Sequence, residues 1–139
     1  PNVKRRKIMT LKNNRHTPVQ IHANLRQFTG SENYYKHGLF RNFIYTDGIK
    51  YLAETCGAYW LLDAINCWQN ERQILINPRL AHFQFWRLRV NHNNNSAVLS
   101  CEDGDGKVIL TQNIEFTDFP LIEFTCYLIN RTLLLPLEY

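Results

Sequence analysis

The apolar residues of this chain change period once, and that change limits the folds open to it. From Thr46 to Trp68 (TDGIKYLAETCGAYWLLDAINCW), Ile49, Leu52, Ala53, Cys56, Trp60, Ala64 and Trp68 recur at steps of three and four. Leu61 and Ile65 lie on the flank, and the stretch predicts one long amphipathic helix. Beyond Asn77-Pro78 the step becomes two. In HFQFWRLRV (82–90), Trp86, Leu88 and Val90 fall on one face and Phe83, Phe85, Arg87 and Arg89 on the other, the alternation of a strand. AVLSCED and KVILTQNIEF flank Gly104-Asp105-Gly106, while IEFTCYLI and TLLLPLEY flank Asn130-Arg131, so two β-hairpins are expected. The order predicts an α+β fold: N-terminal helices, including the long central one, packed on one face of a four- to five-stranded antiparallel meander.

Local signals fill in the first half. Thr17-Pro18-Val19-Gln20 has capping-box spacing with proline at the first helical position, and Ile21, Leu25 and Phe28 share a face up to Gly30, which predicts a helix of about three turns. Thr29 and Glu32 repeat that spacing and predict a second helical turn through SENYYKH, stopped by Gly38. LFRNFIY (39–45) reads as a short strand or an extended lead-in. Thr46 or Asp47 can cap the central helix. The Asp47-Gly48 pair also suits a hairpin turn, but the apolar period that follows is too long for a strand. Gly57 in mid-helix predicts a point where something packs close to the backbone. Pro136 cannot donate to a ladder, so the last strand should lie at an edge or stop there.

At 139 residues, 45% of them hydrophobic, the chain suits one domain over residues 17–139. No apolar run reaches the roughly 18 residues of a membrane span, and the first residues lack the apolar core of a signal peptide. Cys56, Cys67, Cys101 and Cys126 are far apart with no CxxC, which argues against zinc and a disulfide framework and for a reduced, cytoplasmic protein. The net charge of +4 is local. Lys4, Arg5, Arg6, Lys7, Lys12 and Arg15 lie in a tail without acids, leaving ten Lys or Arg against twelve Asp or Glu over residues 16–139. Residues 1–16 are expected to lack a fixed structure of their own.

Three kinds of function can be built from what remains. A protein-binding module, in regulation or phage and host defence, would use the start and outer side of the long helix with the segment before it: Tyr34, Tyr35, His37, Asp47, Lys50, Tyr51 and Glu54. Its partner is another protein, and a homodimer stays open. A nucleic-acid binder would use Lys4, Arg5, Arg6 and Lys7 with the Phe83, Phe85, Arg87 and Arg89 face, rings for bases and cations for phosphates. An enzyme would need His37 beside Tyr34 or Tyr35 and Asp47 as an acid/base group. No cofactor or metal is expected: no P-loop, dinucleotide fingerprint or GxSxG is present, and the five histidines have no HxH, HxxxH or HExxH spacing. Cys101-Glu102-Asp103-Gly104-Asp105-Gly106-Lys107 has the acids of half a calcium loop, but the strand residues after Lys107 make it a hairpin turn.

The stretches Phe28-Thr29-Gly30-Ser31-Glu32, Tyr34-Tyr35 with His37, Tyr45-Thr46-Asp47-Gly48, Tyr51-Leu52-Ala53-Glu54 and Gly57-Ala58-Tyr59-Trp60-Leu61-Leu62-Asp63 follow one another closely. With Phe83-Gln84-Phe85-Trp86, Thr117-Asp118-Phe119-Pro120 and Leu133-Leu134-Leu135-Pro136 before Glu138-Tyr139, they resemble a family of small bacterial proteins, common in cyanobacteria and catalogued as a domain of unknown function. The resemblance covers about residues 25–139, implies one domain in a bacterial or phage cytosol, and brings no activity and no catalytic residues.

Overall fold

The structure is a computed structural model and describes residues 16–36, 38 and 42–139. The basic residues Lys4, Arg5, Arg6 and Lys7, and His37, lie outside that set. Helix α1 (Pro18–Leu25) starts as its sequence predicts: the Thr17 hydroxyl accepts from the Gln20 amide and the Gln20 side chain accepts from the Thr17 amide. It is shorter than the predicted three turns, and Ile21 is its one fully buried residue. The second predicted helical turn does not form. Tyr34–Tyr35 is instead a strand, β1, paired antiparallel with β2 (Ile44–Thr46).

The long helix is two. Helix α2 (Asp47–Cys56) ends at Gly57, which is left-handed (φ 59, ψ 40), and α3 (Tyr59–Trp68) begins two residues later. The Ala58 amide closes the end of α2 on the Ala53 carbonyl at 2.7 Å. Only glycine takes this conformation without a steric cost, which explains its place here. A Cβ on Gly57 would meet nothing within 4 Å, so the expectation of close packing at this residue is wrong. The apolar period hides the break because apolar residues continue through both helices, but the buried set shifts: Ile49, Leu52, Ala53 and Cys56 of the stripe from α2, and from α3 the flanking Leu61 and Ile65, with Trp60, Ala64 and Trp68 half-buried. A short helix, α4 (Arg72–Leu75), and a 3₁₀ turn (Pro78–Ala81) lead into the strands.

The predicted four- to five-stranded antiparallel meander is also corrected. One seven-stranded mixed sheet runs in the order β1-β2-β7-β6-β3-β4-β5, with β3 (Phe83–Asn91), β4 (Ser96–Glu102), β5 (Val108–Ile114), β6 (Glu123–Ile129) and β7 (Thr132–Leu134). Both predicted hairpins are present, as β4–β5 and β6–β7. The strand that changes the class of sheet is β2, which lies parallel to β7 with Ile44 opposite Thr132 and Tyr45 opposite Leu133. A parallel neighbour cannot be joined by a tight turn, and here the whole intervening domain is the connection. Strand β7 therefore is not an edge. It ends at Leu134, and Pro136 opens a 3₁₀ turn (Pro136–Glu138).

The helix-covered face of the sheet carries Trp86, Leu88, Leu99, Cys101, Phe124, Cys126 and Leu128, packed with Ile49, Leu52, Leu61, Leu62 and Ile65 in one core. The Gln84 amide is buried there. Gln84 accepts from Trp86 Nε1 at 2.9 Å, exchanges bonds with the Gln69 amide at 2.8 Å and donates to the Leu80 carbonyl at 3.0 Å, so its polar atoms are met. The opposite face, with Phe83, Phe85, Arg87 and Arg89, has no helix over it among the described residues and is half-buried to exposed. Because Gly57 has open space, its replacement tests backbone conformation alone. In urea unfolding, Gly57→Ala should cost about 1 kcal/mol and Gly57→Asn clearly less, since asparagine tolerates the left-handed region.

Candidate functional site

The residues that lead from β1 into α2 are joined mainly to one another. The Asp47 carboxylate accepts from the Tyr35 hydroxyl at 2.8 Å and from the Asn33 amide at 3.3 Å, and Ser31 Oγ lies 3.2 Å from it. The Asp47 amide in turn donates to Ser31 Oγ at 3.0 Å. Lys50 Nζ stands 4.4 Å from the centre of the Tyr35 ring. Tyr51 packs on Phe28 (ring centres 5.4 Å apart) and takes a hydrogen bond from Asn24 at 2.9 Å, which ties α1 to α2. Of the predicted partner-binding set, Tyr35, Asp47 and Lys50 are thus brought together, half-buried, while Tyr51 is engaged separately with α1. Tyr34 and Glu54 are exposed, and His37 lies outside the described residues.

The electrostatics at Asp47 keep protons in place. The Tyr35 hydrogen bond holds the Asp47 carboxyl below its ordinary range; partial burial opposes this, and the Asn33 and Ser31 bonds add to it. The same bond, followed by burial, raises the Tyr35 phenol above 10. Each group is moved away from neutral pH, the opposite of what a general acid or base needs. Cys56 and Cys101 are buried thiols pushed up to about 12, and Cys126 is pushed higher, so none of the three is an activated nucleophile. Among the described residues, no three His, Cys, Asp or Glu side chains come close enough to hold a metal ion. The acids of the β4–β5 turn have other work: Asp103 accepts from the Asp105 and Lys107 amides and pairs with Arg79, which also pairs with Asp105.

Behind Asp47 the two ends of the domain meet. Glu138 accepts from the Thr46 hydroxyl at 2.6 Å, the Gly48 amide at 3.1 Å and the Leu135 amide at 2.9 Å. The Thr46 oxygen accepts from the Ile49 amide at 3.4 Å. The chain's own carboxylate therefore fills the amide-rich start of α2 that an outside anion would otherwise seek. Gly48 is the glycine that close approach requires: a Cβ there would lie 2.5 Å from Leu135 Cδ1 and 2.6 Å from Glu138 Oε1.

The open face of the sheet is a different surface. Register sets Phe85 opposite Tyr127 and Arg89 opposite Glu123, with Glu102 across from Phe85 on the other side. Tyr127 lies 5.1 Å from Phe83, 5.5 Å from Phe85 and 6.1 Å from Tyr139, ring centre to ring centre. Arg87 stands 5.0 Å over Phe85 and pairs with Glu102 (2.9 Å) and Glu123 (3.2 Å); Arg89 pairs with Glu123 at 2.9 Å. The Arg89 bond, with a further one from Arg87, holds Glu123 below the usual carboxylate range against its partial burial. Two guanidinium groups thus face two carboxylates beside a cluster of four rings. The sequence pointed to Phe83, Phe85, Arg87 and Arg89 but missed Tyr127, Tyr139, Glu102 and Glu123. Alternation within β6 puts Glu123 and Tyr127 on one face, yet only the strand order sets that face beside β3.

A family model described as "Family of unknown function (DUF6876)" matches residues 19–139. The chain belongs to this family. Neither the curated proteins nor the solved structures yield a match. DUF6876 thus takes in α1 from its second residue and the described strands and helices after it, together with the junction at Glu138 and the open face. No helix among the described residues of this DUF6876 domain is long and apolar enough to cross a membrane.

Two outcomes follow from the junction. Glu138→Ala should lower the unfolding free energy by about 2 kcal/mol, the cost of a lost cap and an unmet amide. Gly48→Ala collides with Leu135 as well as with this carboxylate, so in urea unfolding the double variant should cost more than Glu138→Ala alone but less than the sum of the two single changes. The depressed Asp47 carboxyl contributes stability that is full above the ordinary aspartate value near 4 and lost as pH falls through the folded value. Asp47→Asn should therefore be the less stable protein at pH 7 and should lose less than the wild type as the pH falls below the ordinary aspartate range, read by urea midpoints across pH.

Proposed function

We propose that this domain is a non-enzymatic protein-binding module whose docking surface is the open face of the sheet. One observation carries the reading: Phe83, Phe85, Tyr127 and Tyr139 form an exposed to half-buried ring cluster beside Arg87 and Arg89, whose charges are met by Glu102 and Glu123. Aromatic anchors with a neutralised polar rim are what a protein interface needs. A nucleic-acid face needs cations free for phosphate, and these two would first have to leave their carboxylates. The half-buried Tyr35 ring is engaged with Tyr45 and its hydroxyl with Asp47, which is occupied by its neighbours, so the start of α2 supports docking less well than the sheet does.

The test is affinity capture of the full chain from its native cell after nuclease treatment, compared with a Phe85→Ala/Tyr127→Ala variant of unchanged circular dichroism. A protein recovered with the wild type should fall at least tenfold with the variant. Retention of the full chain on DNA with a steep salt slope, lost in Arg87→Ala/Arg89→Ala, would instead establish the nucleic-acid reading.

A further inference from the structure

The turn that joins β6 to β7 is made of Asn130 and Arg131, both with positive φ (47 and 67). A two-residue hairpin turn of this kind is ordinarily Asn-Gly, because asparagine tolerates the first position and glycine takes the second without a steric cost. Arginine at the second position bears that cost. Its backbone does nothing that glycine could not do: the Arg131 carbonyl accepts from the Ile44 amide at 2.9 Å and so holds the turn against β2. What arginine adds is its side chain, and backbone strain of this sort clusters at ligand clamps.

Register brings a second cation to the same place. Tyr35 is opposite Tyr45 and Ile44 is opposite Thr132, so Lys36 and Arg131, which adjoin these pairs, reach one end of the sheet from either side of β2. Two strand spacings, ~10 Å, separate their backbones, a gap that two long side chains can close around one anion. Lys36 and Arg131 line one cavity of about 450 Å³ together with Asn42, Ile44, Asn130 and Thr132. Both cations are exposed, and neither forms an ion pair among the described residues, whereas Arg79, Arg87 and Arg89 are all met by carboxylates. No described Asp or Glu lines the cavity, and the sequence from 36 to 44 (KHGLFRNFI) contains none. Asn130 Oδ1 is taken by His82 Nδ1 at 3.2 Å, which leaves the Asn130 NH2 to donate. We propose that this cavity binds the phosphate of a small phosphomonoester, with Arg131 and Lys36 as its cations. Such a phosphate carries close to two negative charges at neutral pH and so calls for two cations where a carboxylate calls for one, and the arginine fork fits two of its oxygens. The cavity has the size of a small-ligand site. Neither Phe85 nor Tyr127 lines it, so Phe85→Ala/Tyr127→Ala should leave its binding unchanged.

Titration of the full chain with ribose 5-phosphate at constant ionic strength, followed by amide chemical shifts, reads the site. The amides of Lys36, Ile44 and residues 130–132 should shift and saturate with a Kd of about 1 mM or tighter, and ribose should shift none of them. Arg131→Gly should weaken binding about tenfold while holding or raising the urea midpoint, since it restores the unstrained Asn-Gly turn. Lys36→Gln should also weaken binding and leave the midpoint unchanged. Shifts that ribose reproduces, or that do not saturate, overturn the proposal. So does binding unchanged in either variant, or a lower urea midpoint in Arg131→Gly, which would make the arginine structural. A single-stranded oligonucleotide that binds through the same amides more tightly than ribose 5-phosphate overturns it in favour of a nucleic-acid strand.

Discussion

A helix leaves its first amides without partners, and how those amides are met at the start of α2 shapes the rest of this domain. The Glu138 carboxylate meets the Gly48 amide, the Thr46 hydroxyl meets the Ile49 amide, and the two side chains are bonded to each other at 2.6 Å. The same carboxylate holds the Leu135 amide, which fixes the turn that takes the chain out of β7. One group therefore caps the helix, ends a strand and brings β2 to β7. A capping box would have used a residue three positions on; here the partner is 92 residues from the N-cap, so a local requirement is met by a tertiary contact.

That junction also accounts for the shape of the sheet. The chain passes from β2 into α2 without a loop, so once α2 is fastened to residue 138 the short strand before it has one place to go, alongside β7. Strand β1 then pairs outside β2 and is tied down by Ser31, Asn33 and Tyr35 converging on Asp47. The helices cover one face of the sheet and leave the other to Phe83, Phe85, Tyr127 and the Arg–Glu pairs.

What could be read beforehand depended on range. Period two over 82–90 and the Gly104–Gly106 and Asn130-Arg131 turns report on neighbouring residues, and β3 and both hairpins followed from them. Gly57 was visible but ambiguous, because a glycine serving conformation and one serving contact look alike in a sequence; Gly48, the contact glycine, was taken for part of a cap or turn. Residues 39–45 read as a short strand or an extended lead-in, and β2 begins at the end of that stretch, but its parallel pairing with β7 left no local trace. Tyr34-Tyr35 after a capping-box spacing read as helix, and pairing with β2 overrode that preference. On the open face β3 was legible and its partners in β6 were not, because alternation gives the face of a strand but not its neighbour.

The clasp between Thr46, Gly48 and Glu138 also sets an order of events during synthesis. A ribosome adding roughly 5 to 20 residues per second needs about 5 to 20 seconds to travel the 92 residues from Thr46 to Glu138. Over that interval the Gly48 amide lacks the Glu138 carboxylate, β2 lacks the strand it lies beside, and Tyr45, Ile49 and Leu52 lack the completed core that buries them. The meander from β3 to β6 can assemble as it emerges, but the N-terminal third must wait for the last turn. This domain is therefore finished last where its N-terminal third closes on its final turn.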